Sequence, residues 1–489
     1  MSNVSSKVLK ASALSLLIKF IQKSLGLISI LILARILTPD DFGIVAISAL
    51  VLHFCDVLST AGSESYLIQK PEISKDDINS SWTLELILKL FLWVCLVSCI
   101  PFISEFYEQE KLSNALLLSS CVLLINAFKS PGIALLKKHL EYGKIFSLGI
   151  VQKVISFSVV IGFVLYSPSY WAIILGDVVS AVVFVIGSYI IHSYRPKLCK
   201  LKITEQLAFS KWILLKSGVG YARAQMDVFF VGKLFSAPEL GSYHLARHLS
   251  VMPSTDIIGP AIEPLLASFS KVKHDFNALN RQFYISFFVI VSIITPIAVY
   301  MWSYPETIID LLLGGQWESA YSLLSALSLL LFTFSVGQLL NPFCVAAGQV
   351  KAIFIYDLFS FIFIFICLLF FLESTLYEFA LLRGVLAFFP LLGMLLFISR
   401  YTQLSLIKLL NILIPIVTSA LFAIYCVGLG DYNTGNTMTN LLAPISLFFS
   451  LYFLLLIIVF KLHYKKYSEW QKINQLLEKG IMMIRRRKV

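Results

Sequence analysis

The segment Ala34–Gly43 reads A-R-I-L-T-P-D-D-F-G, and 198 residues further on Gly232–Gly241 reads G-K-L-F-S-A-P-E-L-G. Basic stands against basic at Arg35 and Lys233, small hydroxyl at Thr38 and Ser236, acid at Asp41 and Glu239, and glycine at Gly43 and Gly241. A proline followed by an acid suits a turn that caps the next helix, so each segment reads as a junction between two helices. A weaker echo sets Ser130-Pro131 against Asn341-Pro342, at an offset of 211 residues. The two echoes imply a duplicated bundle of helices.

What lies outside the junctions is apolar. The chain has 489 residues, 58% hydrophobic and only 14% charged, against about a quarter charged in an ordinary soluble domain. A bilayer core about 30 Å thick needs roughly twenty apolar residues per helix, and such stretches recur from Ala11 to Leu462. The clearest are Ala11–Leu33, Trp82–Ile103, Ser147–Tyr166, Phe283–Trp302, Ile353–Leu372, Phe379–Ile398, Ile407–Leu429 and Leu441–Phe460. Less apolar ones are Phe42–Ile68, Leu112–Phe128, Tyr170–Ile191, Trp212–Phe235, Gly241–Phe269 and Ala320–Leu340. The spans must be helical, because an open strand leaves its backbone unsatisfied in lipid.

The expected fold is therefore an all-α polytopic membrane protein of about 14 transmembrane helices. Residues 1–203 form an N-terminal lobe of six spans, 204–402 a C-terminal lobe of six, and 403–463 two additional spans. Each lobe begins and ends on one side, so the repeats are parallel, about an axis along the membrane normal. The tail 464–489 spaces Trp470, Ile473, Leu477, Ile481 and Ile484 as a helix among lysines, a pattern that suits the anionic inner leaflet. A helix that binds a partner fits it too.

Lys and Arg in the short loops orient the chain. With the N-terminus cytoplasmic, the inner segments around Lys7, Lys70, Lys129, Lys137, Lys138, Arg195–Lys202, Lys271–Arg281, Lys351, Arg400 and the tail hold about 28 basic residues. The other side holds about two, Arg35 and Lys111. Both ends are thus expected in the cytoplasm, and the net charge of +11 is a topology signal rather than a sign of nucleic-acid binding. The first span runs past twenty residues with no small-residue cleavage pattern and is expected to be retained. The eight cysteines lie mostly inside apolar helices without a Cys-x-x-Cys pair and read as small buried hydrophobes, not as metal ligands.

Function is sought among the ionisable residues within spans, each of which costs at least about 2.5–3.5 kcal/mol at a helix centre. Lys19 and Lys23 stand four apart on the first span, and Lys216, Arg223 and Asp227 form a stripe on the seventh. Lys19 is shallow enough to snorkel to the interface. Arg223 either contacts a ligand or pairs with Asp227, and Arg247, on the eighth span, has no acid a turn away. Lys19, Lys23, Lys216, Arg223 and Arg247 are together the candidates for a cationic cavity, which would hold a diphosphate through charge-assisted hydrogen bonds. Glu85 and Lys89 read as a self-neutralising pair, and Lys153 and Asp177 as a pair across helices; Lys233 reads as interfacial. Asp56, Glu64 and Asp357 lack a close basic partner in sequence and, with Asp227, are the candidates for coupling transport to an H⁺ or Na⁺ gradient. Pro253, Gly259-Pro260 and Pro264 are expected to interrupt the eighth span, and Pro415 the thirteenth, as hinges or as simple bends.

A first span followed by A-R-x-L-T-P-x-D-F-G, and a second span followed by Leu-Ile-Gln at Leu67–Gln69, resembles the Wzx-type O-antigen and capsule flippases of the multidrug/oligosaccharidyl-lipid/polysaccharide (MOP) exporter superfamily. The specific motif is confined to Ala34–Gln69, while helix count and topology extend the resemblance over nearly the whole chain. The resemblance implies twelve core helices in two lobes around a central cavity, in the bacterial inner membrane. It implies transfer of undecaprenyl-diphosphate-linked oligosaccharide to the periplasm, with a polysaccharide polymerase and a chain-length regulator as partners.

Three other functions compete. A MATE-like drug or cation antiporter of the same superfamily would find Lys23, Arg223 and Arg247 repulsive. A membrane-embedded polymerase would need a sizeable external loop, whereas the longest here, about Ser303–Ser319, carries only Glu306, Asp310 and Glu318 as charges. A scaffold would have little reason to bear so many intramembrane charges. Without a Walker-type phosphate loop, ATP hydrolysis and a bound cofactor are not expected.

Overall fold

The computed structural model describes residues 22–60, 62–139, 141–430 and 437–463. Lys19 and the tail 464–489 lie outside the described residues. Every regular element among those described is helical, and the chain divides into two compact units: Met1–Leu245 with Leu312–Ser319, and Ala246–Leu311 with Ala320–Val489.

In chain order the helices begin with α1 (22–36), α2 (Pro39–Ser59), α3 (Ser63–Gln69), α4 (Lys75–Phe106), α5 (Glu110–Asn126), α6 (Gly132–Lys138) and α7 (Tyr142–Tyr166). Then follow α8 (Trp171–Ile191), α9 (Ile203–Leu234), α10 (Ala237–Met252), α11 (Gly259–Ile262), α12 (Leu265–Lys271), α13 (Phe276–Ser303) and α14 (Pro305–Leu312). The series ends with α15 (Ser319–Ala346), α16 (Val350–Leu369), α17 (Leu376–Leu386), α18 (Phe388–Thr402), α19 (Leu406–Gly428) and α20 (Thr437–His463).

Ten stretches among the described residues are long and apolar enough to cross a bilayer. Four expected spans fall short of that measure for identifiable reasons. α1 is described only from residue 22, α5 has 17 residues and α10 has 16, and α9 carries Lys211, Lys216, Arg223 and Asp227.

Side-chain caps start several helices, as the turn chemistry predicts. Ser74 and Asp77 cap α4 reciprocally, with the Asp77 carboxylate accepting the Ser74 N–H at 2.9 Å and the Ser74 Oγ accepting the Asp77 N–H at 3.1 Å. Thr375 and Glu378 do the same for α17, and the Asp275 carboxylate accepts the N–H groups of Asn277 and Ala278 for α13.

In the first unit α2 is the hub. It packs on α4, α5 and α9, while α7 and α8 form an antiparallel hairpin joined to it through α5. Leu52, Cys55, Leu96 and Leu123 form one apolar centre between α2, α4 and α5. Tyr221 on α9 donates its hydroxyl to the carbonyl of Leu50 at 2.7 Å, which fixes the register of α9 against α2.

In the second unit α15 is the most deeply buried span, and α13, α19 and α20 pack side by side. Tyr452 on α20 donates to the Ser292 carbonyl at 2.8 Å and Asn280 on α13 donates to the Thr402 carbonyl at 2.7 Å, so polar groups tie helices that apolar contact alone would leave free to slide.

The prolines divide. The eighth span is interrupted as expected: a π-helical segment, Pro253–Ile258, follows α10, and the chain then restarts twice at α11 and α12. Pro415 sits inside an unbroken α19, and Asn341-Pro342 inside α15, which runs on to Ala346. Only Ser130-Pro131 of the second echo therefore marks a helix break, because the partner proline falls before the last turn of its helix.

Candidate functional site

The two repeated junctions fold alike. The Asp41 carboxylate accepts the Thr38 N–H at 3.1 Å and the Thr38 hydroxyl at 2.8 Å, and the Glu239 carboxylate accepts the Ser236 N–H at 2.9 Å and the Ser236 hydroxyl at 2.7 Å. They also meet at their glycines. A Cβ at Gly43 would lie 2.1 Å from the carbonyl oxygen of Ala237, and one at Gly241 would lie 1.9 Å from the carbonyl oxygen of Pro39. The contact is reciprocal and backbone to backbone, so neither position has room for a side chain.

A strap from 312–319 covers this crossing. Trp317 is fully buried and donates its Nε1–H to the Ala34 carbonyl at 2.7 Å, and Phe42 meets its ring edge-on at 5.4 Å. Gln316 donates to the carbonyls of Ala34 and Leu37, and the hydroxyls of Ser242 and Ser319 lie 2.8 Å apart. Ion pairs ring the cluster: Lys111 with Asp40 and Lys233 with Glu108, each at 2.9 Å. The exposed Glu108 carboxyl is held below the usual carboxylate range by its hydrogen bond from Lys233.

Further along α2 the first unit contains a cavity of about 410 Å³. Ser48, His53 and Asp56 line it from α2, Lys89 from α4, Asn126 from α5, Gln152 from α7, and Asp177 and Ser180 from α8; Lys129 enters from the turn after α5. Lys89, almost wholly buried, lies 3.1 Å from Glu85 and 3.6 Å from Asp56, and Lys129 lies 3.6 Å from Glu85. An isolated charge at this depth would be strongly disfavoured, and the alternation of signs compensates it.

A third polar cluster stands where α3 ends and α4 and α9 begin. Lys70 reaches Asp77 at 2.7 Å and Glu205 at 3.2 Å, and Tyr66 donates to Glu205 at 2.8 Å. Its hydrogen bonds, chiefly to Asp77, hold the Lys70 ammonium above the ordinary lysine range. Hydrogen bonds from Tyr66 and then Lys70 hold the Glu205 carboxyl low.

The residues singled out in the sequence separate accordingly. Lys23 is exposed on α1; Lys216 is exposed and Arg223 half-buried on α9, about two turns apart along the stripe the spacing defines. Asp227 is fully buried and accepts the Tyr243 hydroxyl at 3.0 Å. Arg247 and Asp357 are buried in the second unit. Glu85 and Lys89 do pair. Asp56 and Glu64, without a basic partner in sequence, have one in space: Lys89 at 3.6 Å and Lys137 at 2.5 Å. These partners sit on other helices, where spacing along one helix cannot find them. Lys153 and Asp177 form no direct salt bridge, although the Lys153 charge acts on Asp177 through space; its ammonium lies 3.7 Å from where a Cβ on Gly26 of α1 would stand. Ser48, His53, Gln152, Gln316 and Trp317 were not singled out. Polar residues inside spans are a signal for the first three; nothing in a short loop marks the last two.

An all-helical membrane protein with a duplicated junction and charged groups inside its spans has the architecture of a membrane transporter. Residues 32–322, more than half of the chain, match the family model described as polysaccharide biosynthesis protein, and the chain belongs to that family. It is 28% identical over 355 residues to an uncharacterized membrane protein in the cps region of Klebsiella pneumoniae, covering 69% of each chain. It is 24% identical over 351 residues to the lipopolysaccharide biosynthesis protein WzxC of Escherichia coli (strain K12), covering 70% of each. The fold is that of the lipid II flippase MurJ in its inward closed conformation, with a TM-score of 0.73 at 14% identity over 91% of this chain and 98% of that one. An inward-facing multidrug resistance MATE transporter of the MOP superfamily has the same fold, with a TM-score of 0.61 at 14% identity over 78% and 96%.

Proposed function

We propose that this chain flips an undecaprenyl-diphosphate-linked oligosaccharide from the cytoplasmic to the periplasmic leaflet of a bacterial inner membrane by alternating access, with both termini cytoplasmic. The observation that carries the reading is the row of basic groups on α9, Lys216 and Arg223, in a 32-residue helix that the sequence assigns to the seventh span. With the first-span lysines Lys19 and Lys23 they would supply cations for a diphosphate head group while its lipid tail stays in the bilayer. Membership of a polysaccharide biosynthesis family and the fold shared with a lipid flippase support it.

The lobes 1–203 and 204–402 would move about the crossing of Gly43 and Gly241, which on this topology lies at the periplasmic end. Carried across, the sugar unit would pass to a polysaccharide polymerase and its chain-length regulator. A drug antiporter shares the fold less closely and would carry organic cations past the same basic groups, which disfavours that reading.

The test is deletion of the gene in its own host, with lipid-linked intermediates assayed by leaflet. Surface polysaccharide should disappear while the lipid-linked unit accumulates on the cytoplasmic face. Unchanged surface polysaccharide, or intermediates already on the periplasmic face, refutes the proposal.

A further inference from the structure

The charges of the first-unit cavity neutralise one another with one exception. Lys89 is shared between Glu85 and Asp56, and Lys129 faces Glu85. Asp177 on α8 is left over: among the described residues it takes part in no ion pair and accepts no hydrogen bond. Lys153 on the adjacent α7 and His53 on α2 act on it through space only, and the Lys153 ammonium lies against α1.

A second group in the same cavity is also unsatisfied. Ser48 on α2 is 2% exposed, and its hydroxyl has no hydrogen-bond partner. A buried hydroxyl left unbonded costs on the order of 1–3 kcal/mol, so such an atom calls for a ligand. Its depth matches that of Asp177. Ile44 and Ile174 share one apolar cluster near the starts of α2 and α8, and about one turn further along these parallel helices come Ser48 and Asp177.

The remaining neighbours present oxygen. Gln152 on α7 spends its amide N–H₂ on the carbonyl and hydroxyl of Ser180, at 3.2 and 2.9 Å, which leaves its amide oxygen as an acceptor. One carboxylate without an ion pair or a hydrogen bond, a vacant hydroxyl oxygen and an amide oxygen form a hard-oxygen donor set with a single negative charge.

We infer that this cavity binds one Na⁺ ion on Asp177, with Ser48 and Gln152 as the oxygen groups beside it. This deepens the transporter reading, since an ion bound in the spans can couple cargo movement to a gradient. It also moves the coupling role from Asp56, which Lys89 already satisfies, to Asp177. Binding can be measured without cargo, so failure of the flippase reading would leave this inference standing, and the reverse.

The experiment uses the purified full-length chain in detergent. Its thermal unfolding midpoint is followed by tryptophan fluorescence as NaCl replaces KCl or choline chloride at constant ionic strength. A ligand that binds only the folded state raises the midpoint saturably, so Na⁺ should raise it and choline should not. Asp177→Asn should abolish the shift. Ser48→Ala should raise the half-saturating Na⁺ concentration about tenfold, equivalent to about 1.4 kcal/mol. Glu373→Gln, in an exposed turn, should respond as the natural chain does.

Equal shifts with Na⁺ and choline, or an undiminished shift in Asp177→Asn, would overturn the inference. So would a shift that follows pH alone. His53, Asp56, Glu85, Lys89, Lys129 and Lys153 surround the same space, and a pH response kept by Asp177→Asn and lost in His53→Gln would assign the proton to His53. Should Asp177→Asn fail to accumulate, Ser48→Ala decides the question.

Discussion

Replacing Gly43 by alanine tests whether the crossing of the two junctions is a moving contact. The added Cβ would stand 2.1 Å from the Ala237 carbonyl oxygen, whereas carbon and oxygen rest at about 3.3 Å even in weak hydrogen-bonded contacts. The backbones of α2 and α10 must then part by about 1.2 Å, and the partner carbonyl belongs to the main chain and cannot rotate away. Overpacking of this kind costs about 1–3 kcal/mol. At about 2 kcal/mol the ratio of closed to open crossing falls roughly 30-fold. The assay places a single cysteine at Ser242, 1% exposed beside the crossing, in a chain without its eight native cysteines, and measures labelling by a membrane-impermeant maleimide added to intact spheroplasts. Labelling should be slow with Gly43 and much faster with Gly43→Ala, and polysaccharide export should fall. Gly220→Ala on α9 is the control, since a methyl there meets nothing within 4 Å. Wild-type labelling and export in Gly43→Ala, at normal protein level, would refute the reasoning. Labelling only in inverted vesicles would refute the topology instead.

Three further outcomes are expected. Arg223→Ala or Arg247→Ala should lower export about ten- to a hundredfold, the loss of a charged hydrogen bond, while the protein accumulates normally in membranes; lysine at either site should restore part of it if charge alone matters. Lys89→Met leaves the half-exposed Asp56 without its lysine and Glu85 with Lys129 alone, and should cost about 1–3 kcal/mol of stability, seen as a lower unfolding midpoint, with Lys89→Met/Glu85→Gln recovering part. Ser242→Cys with Ser319→Cys replaces hydroxyls 2.8 Å apart, close to the reach of a disulfide; oxidation should stop export, reduction should restore it, and full export by the cross-linked chain would show that the strap need not move.

Much of this architecture is legible in the sequence because membrane helices obey a simple solvent rule. Apolar length places the spans, and Thr38–Asp41 and Ser236–Glu239 announce their caps through turn chemistry that acts over three residues. Glu85 and Lys89 are legible for the same reason, being one turn apart. What spacing cannot give is which helix faces which. Asp56 reads as unpaired because Lys89 is on α4, yet tertiary packing joins them, while Lys153, expected to pair with Asp177 on the neighbouring helix, acts on it through space without touching it. Gly43 and Gly241 match by alignment, but only the packing shows that each is small because of the other.

The π-helical turn at Pro253–Ile258 carries a consequence for how this chain can vary. A π turn accommodates one more residue than the α turn it replaces, and each residue advances a helix by about 100°. Side chains after Ile258 are therefore rotated by that amount relative to a straight wheel drawn from Arg247. Glu263, sixteen positions on, faces elsewhere than α-helical arithmetic would place it. Losing a single residue between Pro253 and Ile258 would therefore restore α winding and leave everything up to Lys271 on the face it already occupies, because the turn gives up the residue it holds in excess. The same loss within α10, where no extra residue is stored, would turn every later side chain by about 100°.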